Sequence, residues 1–191
     1  GVGSVLNTAQ VQKGSSVAVF GAGGVGLSTI LGARYAGASR IIAVDKSAVK
    51  RKLTMECGAT DFLVNDKSTV KRIRALTERR GADYVFEAIG IPAVQEQCLE
   101  AVRPGGTLIL SGISPVGSGT NLPGAVLTRM EKTVKGSYYG TSNTARDFPR
   151  YADMYLKKEL DLDKLISATY KLDQINEAYR AMLSGETARG V

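Results

Sequence analysis

Gly21, Gly23 and Gly26 stand in G-x-G-x-x-G spacing inside VAVFGAGGVGLSTI. Asp45 follows about 20 residues later, at the end of RIIAVD. These residue types at this spacing suit one task, the binding of a dinucleotide. The first glycine permits a tight turn, and the second lets a pyrophosphate approach the backbone with no side chain between. The third lets a helix pack close to a strand. The free N–H groups of a helix opening at Gly24 would face the anion, with the helix dipole in support. A carboxylate at position 45 can accept from both hydroxyls of a ribose and repels a 2′-phosphate, which favours NAD over NADP. Lys46 and Lys50 nearby soften that discrimination.

Other chemistries lack their parts. The chain has no histidine and only two cysteines, Cys57 and Cys98, each within a helical pattern. Neither a disulfide framework nor a metal knuckle is indicated, and a reducing, cytoplasmic setting is expected. No apolar run approaches the roughly 18 residues of a membrane span, and no signal segment is recognisable. The net charge is +7. Its densest basic stretch holds Lys71, Arg72, Arg74, Arg79 and Arg80, but Val70, Ile73 and Leu76 recur there at helical spacing. The basic residues therefore form the wet face of a helix, and no nucleic-acid partner is expected.

The elements that must position the glycines alternate along the 191 residues, enough for one substantial core. Val2, Val5, Leu6 and Ala9 make a helical stripe that ends near Gly14. A strand over Ser16–Phe20 precedes a helix from Gly24 to Tyr35, and RIIAVD is the next strand. A helix over 46–58, with Val49, Leu53 and Cys57 inward, leads to a strand over 60–65. Ser68 is placed to cap the basic helix. A strand over 82–90 precedes a helix begun by Pro92, which RPGG stops at 103–106. TLILSGI is a further strand, and after an irregular stretch another is expected over 133–140. Helices over 143–158 and 172–183 follow, and 184–191 reads as the start of a strand. Strands alternating with helices of about a dozen residues predict βαβ units in an α/β doubly wound Rossmann fold. Six parallel strands in the order 3-2-1-4-5-6 are expected.

A glycine-rich first turn and an acid ending the second strand also occur in S-adenosylmethionine methyltransferases. Those enzymes usually carry an acid two residues before the first glycine, where Val19 stands here, and G-x-G-x-G spacing. The segments GAGGVGLS, GASRIIAVD, GATDFLVN, DYVFEAIG, VRPGGTLILSG, VKGSYYG and INEAYRAMLSGETARGV together resemble the zinc-dependent alcohol dehydrogenases of the medium-chain superfamily. The resemblance covers essentially the whole chain and only the coenzyme domain of such an enzyme. It implies that residues 1–191 form one NAD(P)-binding domain, with 1–13 leading in from a catalytic domain and 184–191 returning to it. The catalytic and structural zinc ligands would belong to that other domain, and this chain alone would be inactive.

The resemblance also implies roles. Gly21, Gly23, Gly24 and Gly26 would hold the pyrophosphate, with Val25 against the nicotinamide. Asp45 and Lys50 would bind the adenosine ribose, and Ile89 would form the apolar side of the adenine cleft. The backbone around Ser111, Gly112 and Ile113, and around Ser137, Tyr138 and Tyr139, would take the carboxamide. Arg189 would reach the pyrophosphate from the C-terminal segment. The implied partners are NAD, a small alcohol or aldehyde in the full enzyme, and a second copy joined through the sheet edge near 121–135. A zinc-free reductase of the same superfamily, a stand-alone nucleotide-sensing module and the methyltransferase remain as alternative readings.

Overall fold

Strands that are apolar on both faces need cover on both faces, and the chain supplies it. The computed structural model describes residues 1–184 and 189–191. The strands β1 (Ser16–Phe20), β2 (Arg40–Asp45), β3 (Asp61–Val64), β4 (Ala82–Glu87), β5 (Val102–Leu110) and β6 (Thr133–Gly136) form one parallel sheet. Their order is 3-2-1-4-5-6, the expected doubly wound arrangement. Between and after them run α1 (Gly24–Tyr35), α2 (Arg51–Glu56), α3 (Thr69–Leu76), α4 (Pro92–Ala101), α5 (Gly124–Arg129), α6 (Thr144–Leu156) and α7 (Ile175–Ser184). No helix among the described residues is long and apolar enough to cross a membrane.

The period of two along each strand divides the core. Val17 and Val19 of β1, with Ile41 of β2, meet Leu27 and Ile30 of α1 and Val5 of the lead-in segment on one face. Ala18 and Phe20, with Ile42 and Val44, meet Ile73 of α3 and Cys98 and Leu99 of α4 on the other. The basic helix α3 is thus anchored by Ile73, while Arg72 pairs with Asp66 (3.0 Å) and Arg74 donates to Glu100 O (3.0 Å).

Several elements depart from the sequence reading for identifiable reasons. The lead-in helix is a π-helix, Ser4–Ala9, closed by Gln10 in the left-handed region (φ 54°). The helix expected over 46–58 breaks into a 3-10 turn, Ala48–Lys50, and α2, and Val49 is 82% exposed instead of inward. The Asp45 carboxylate takes the Ser47 N–H and the Lys50 ammonium, which draws that first turn onto the end of β2. Ser68 holds the N-cap position of α3, but its hydroxyl donates to Asp66 Oδ1 (2.7 Å) and caps nothing. Strand β5 begins before TLILSGI and bulges at the glycines, since Ala82 pairs with Val102 and Tyr84 with Thr107. It stops at Leu110, leaving Ser111–Ile113 as a loop. The strand expected over 133–140 ends at Gly136, which faces the last residue of β5, Leu110, and the chain then turns through Tyr139, Gly140 and Thr141, all with positive φ (48°, 66° and 50°). The short helix α5 lies in the stretch read as irregular. Of the expected terminal strand, 185–188 lie outside the described residues, and Gly190 makes a single parallel bridge to Ala168.

The N-terminal end of the sheet is fastened across three strands by Asp83 of β4. Its Oδ2 accepts from the Ser16 N–H (2.8 Å) and hydroxyl (2.6 Å) of β1, and its Oδ1 accepts from Arg103 Nε of β5 (2.5 Å). Burial alone would raise the pKa of this carboxyl. The Ser16 and Arg103 donors more than offset that and hold it below the usual carboxylate range. A depressed folded pKa means stability that is present above the unfolded value near 3.8 and is lost as pH falls through the folded one. Asp83→Asn is expected to cost about 1–3 kcal/mol at neutral pH in urea unfolding. It should also reduce the loss of stability on acidification below the ordinary carboxylate pKa.

A second expectation concerns Gly26. Replacing a helical glycine by alanine ordinarily gains about 1 kcal/mol. Here a Cβ would sit 1.7 Å from the Gly21 carbonyl oxygen, and a backbone atom cannot rotate away. The clash outweighs the propensity, so Gly26→Ala should lower stability by about 1–3 kcal/mol in the same measurement.

Candidate functional site

The turn from β1 into α1 gives each glycine a different task. Gly21 (φ 97°) bends the chain, and its N–H donates to Val44 O (2.8 Å). Gly26 lets α1 settle on the Gly21 carbonyl. Gly23 is the N-cap in extended backbone, and a Cβ there would meet nothing within 4 Å. No side chain caps α1, and its first turn holds no acidic residue. The result is open space over an uncapped helix N-terminus, where backbone N–H groups and the dipole favour an anion.

Asp45 closes one side of this turn. Its Oδ2 accepts from the Ala22 N–H (2.7 Å) and Lys50 Nζ (3.3 Å), and its Oδ1 accepts from the Ser47 N–H (2.9 Å). The structure thus joins Asp45 and Lys50 and ties both to the glycine turn, with the Asp45 side chain 6% exposed. A carboxylate offers about four lone-pair sites, so acceptor capacity remains after these three bonds. Ile89 lies beside the turn, its Cγ1 2.7 Å from where a Gly21 Cβ would be, and it is partly exposed.

On the other side of Gly24, a cleft of about 380 Å³ is walled by Val25, Ser111, Ile113, Ser137, Tyr138 and Tyr139. Val25, Ile113 and both tyrosines are exposed apolar surface, and the two tyrosine rings meet edge to face with centroids 4.6 Å apart. Ser137 is buried, and its N–H donates to Leu110 O (2.8 Å). The Ser111 hydroxyl is buried and has no hydrogen-bond partner. Gly112 stands behind this wall, where a Cβ would come within 2.1 Å of Gly90 N. Arg189 is not among the lining residues: its carbonyl accepts from Ser167 N (2.9 Å), and the residue is exposed.

One organising residue escaped the sequence reading. Glu87, fully buried at the end of β4, accepts from the N–H groups of Ile89 (2.8 Å) and Gly90 (2.7 Å) through Oε1. Its Oε2 reaches Gln95 Nε2 (3.4 Å). It fixes the loop that presents Ile89 and backs Gly112. The signal was a carboxylate at the end of the apolar run DYVFE, since buried charges persist only with partners.

Among the described residues no group of three or more His, Cys, Asp or Glu could hold an ion. Burial pushes the Cys57 thiol up to about 11, and burial together with the Glu87 charge raises Cys98, so neither is a ready thiolate. A separate hollow of about 400 Å³, walled by Tyr155, Leu156 and Asp161 among others, contains none of the residues singled out from the sequence.

Comparison with known proteins places this geometry. Residues 24–157 match the zinc-binding dehydrogenase family. The chain is 39% identical to alcohol dehydrogenase 3 of Hordeum vulgare, over 99% of this chain and 50% of that protein. It is 33% identical to the NDMA-dependent alcohol dehydrogenase of Amycolatopsis methanolica, over 95% of this chain and 50% of that one. It therefore spans about half the length of the curated relatives it matches. Among solved structures, benzyl alcohol dehydrogenase of Acinetobacter calcoaceticus superposes with a TM-score of 0.95 at 29% identity, covering 100% of this chain and 52% of that one. An alcohol dehydrogenase zinc-binding domain protein of Burkholderia ambifaria gives 0.93 at 35%, covering 99% and 51%. With the family go the sheet order and the glycine turn, and the methyltransferase reading falls: the chain belongs to the zinc-binding dehydrogenase family.

Proposed function

We propose that this chain is the NAD-binding domain of an alcohol dehydrogenase, holding the cofactor while a neighbouring domain supplies the zinc and most of the alcohol pocket. The observation that carries the reading is the contrast between Gly23 and Gly26: one opens onto unfilled space, and the other is jammed on backbone. The orphaned Ser111 hydroxyl adds a buried polar atom in want of a partner, as an amide-bearing ligand would provide. The residues present fit a dinucleotide.

In this reading the N–H groups around Gly21, Gly23, Gly24 and Gly26 bind the pyrophosphate, and Arg189 approaches it from the C-terminal segment. Asp45 accepts from the adenosine ribose while Lys50 balances its charge, and Ile89 covers one face of the adenine. Val25 lies against the nicotinamide. Ser111, Gly112 and Ile113, together with Ser137, Tyr138 and Tyr139, orient its carboxamide and so select the ring face presented to substrate. A bound nicotinamide supplies the hydride acceptor that no side chain can provide. The contribution of this chain to the reaction is positioning and the exclusion of water. The described residues do not form a zinc site, so no step through the metal is assigned to them. The buried, separated thiols suit a reducing, cytoplasmic setting.

Calorimetric titration with NAD, NADP and S-adenosylmethionine in parallel tests the reading. Binding of NAD, weaker binding of NADP and no heat from S-adenosylmethionine are expected; silence from NAD would sink it. Gly23→Ala should leave thermal unfolding unchanged and weaken NAD binding about tenfold or more, because the new methyl enters the anion space. Ser111→Ala should leave stability unchanged or slightly higher, since it removes an unsatisfied buried hydroxyl. It should weaken NAD about fivefold.

The edge strand β6 and the segment 121–135 form the surface through which a second copy would pair. That edge lies open in the sheet order, with Val126 and Met130 exposed beside it. Sedimentation velocity should report a dimer, and a monomer at every concentration would remove this part of the reading.

A further inference from the structure

The turn that ends the cleft is held in an unfavourable backbone conformation by the first residues of the chain. Tyr139, Gly140 and Thr141 take positive φ in succession, a region that L side chains avoid. Such a run persists only where its surroundings over-determine it. The surroundings here are the π-helix Ser4–Ala9, an irregular helix of a kind frequent at functional sites. Thr8 Oγ1 lies 2.8 Å from Ser137 Oγ and 2.7 Å from Thr141 Oγ1, so one hydroxyl joins the residues on either side of Tyr138–Gly140. Its neighbour Asn7 donates to Gly140 O (3.3 Å) and to Asp147 Oδ2 (3.1 Å) of α6. Gly3 and Gly140 meet backbone to backbone, a Cβ on Gly140 falling 2.8 Å from Gly3 Cα.

We propose that Thr8 is a positioning residue for the carboxamide end of the cofactor: its hydroxyl fixes the Ser137–Thr141 turn, and that turn fixes the backbone that receives the carboxamide. This rests on the cofactor reading above and extends it to a residue outside the cleft wall. Thr8 touches no part of the glycine turn in the hydrogen-bond network, so its effect is confined to one end of the ligand.

Two ligands separate that effect from general destabilisation, NAD and ADP-ribose, which lacks the nicotinamide. Thr8→Val keeps the shape and removes the hydroxyl. It is expected to weaken NAD about fivefold, the worth of one neutral hydrogen bond, and to leave ADP-ribose binding at the wild-type value. Thr8→Ser, which restores the hydroxyl, should behave as wild type with both. Thr141→Val removes another partner of the same hydroxyl, outside the residues assigned to the carboxamide, and should reproduce the split, so the test survives if Thr8→Val folds poorly. Equal weakening of both ligands, or no change in either, overturns the assignment. If the unmodified chain binds neither ligand, the cofactor reading itself fails and takes this inference with it.

Discussion

Everything at the cofactor end of this molecule depends on how closely α1 can approach the end of β1. The Gly21 carbonyl lies where a side chain at position 26 would have to be, so the helix start is lowered onto the strand end with no spacer. That approach aims the free N–H groups of α1 at the mouth of the sheet. It also brings the Ala22 N–H within reach of the Asp45 carboxylate on the adjacent strand. The acid at the end of β2 and the glycines at the end of β1 are therefore one assembly, joined by a hydrogen bond across the sheet.

The two ends of the sheet are built on different principles. At the N-terminal end, Asp83 accepts from Ser16 and Arg103 and so clamps three strands together. At the C-terminal end the polar groups are only partly used: Gly23 faces open space, Ser111 has no partner, and apolar side chains stand exposed in the cleft. The unpartnered Ser111 hydroxyl thus lies at the end where a doubly wound sheet binds its ligand.

How much of this was legible in the sequence follows from how local each signal was. The alternation of strands and helices came from apolar runs and helical stripes, which are short-range patterns. The strand order followed from the doubly wound fold that such alternation fits. The glycine turn came from its spacing together with the strand before it, the helix after it and the acid ending the next strand. What could not be read was set by contacts between distant segments. Val49 has an apolar side chain at helical spacing, yet the Asp45 carboxylate reorganises the turn that carries it and leaves it in solvent. Ser68 has the residue type of a cap, but Asp66 competes for its hydroxyl. The strand end at Gly136 and the π-helix at Ser4–Ala9 form a mutual arrangement between residues more than a hundred positions apart, and no window of sequence contains both partners. The clearest missed signal was Glu87, whose charge beside an apolar strand pointed to a buried acceptor.

On the proposed reading Asp45 would have a divided duty, and this would shape the routes by which the domain could change its nucleotide preference. The same oxygen atoms that would select a ribose over its phosphorylated form also hold the Ala22 N–H and the Lys50 ammonium. Exchanging this carboxylate for a neutral residue to admit a 2′-phosphate would release a lysine well placed to greet it. It would also strip the turn of its acceptor. A lineage that crosses from one cofactor to the other must therefore supply a substitute brace for the turn in the same step, or pass through a less stable ancestor.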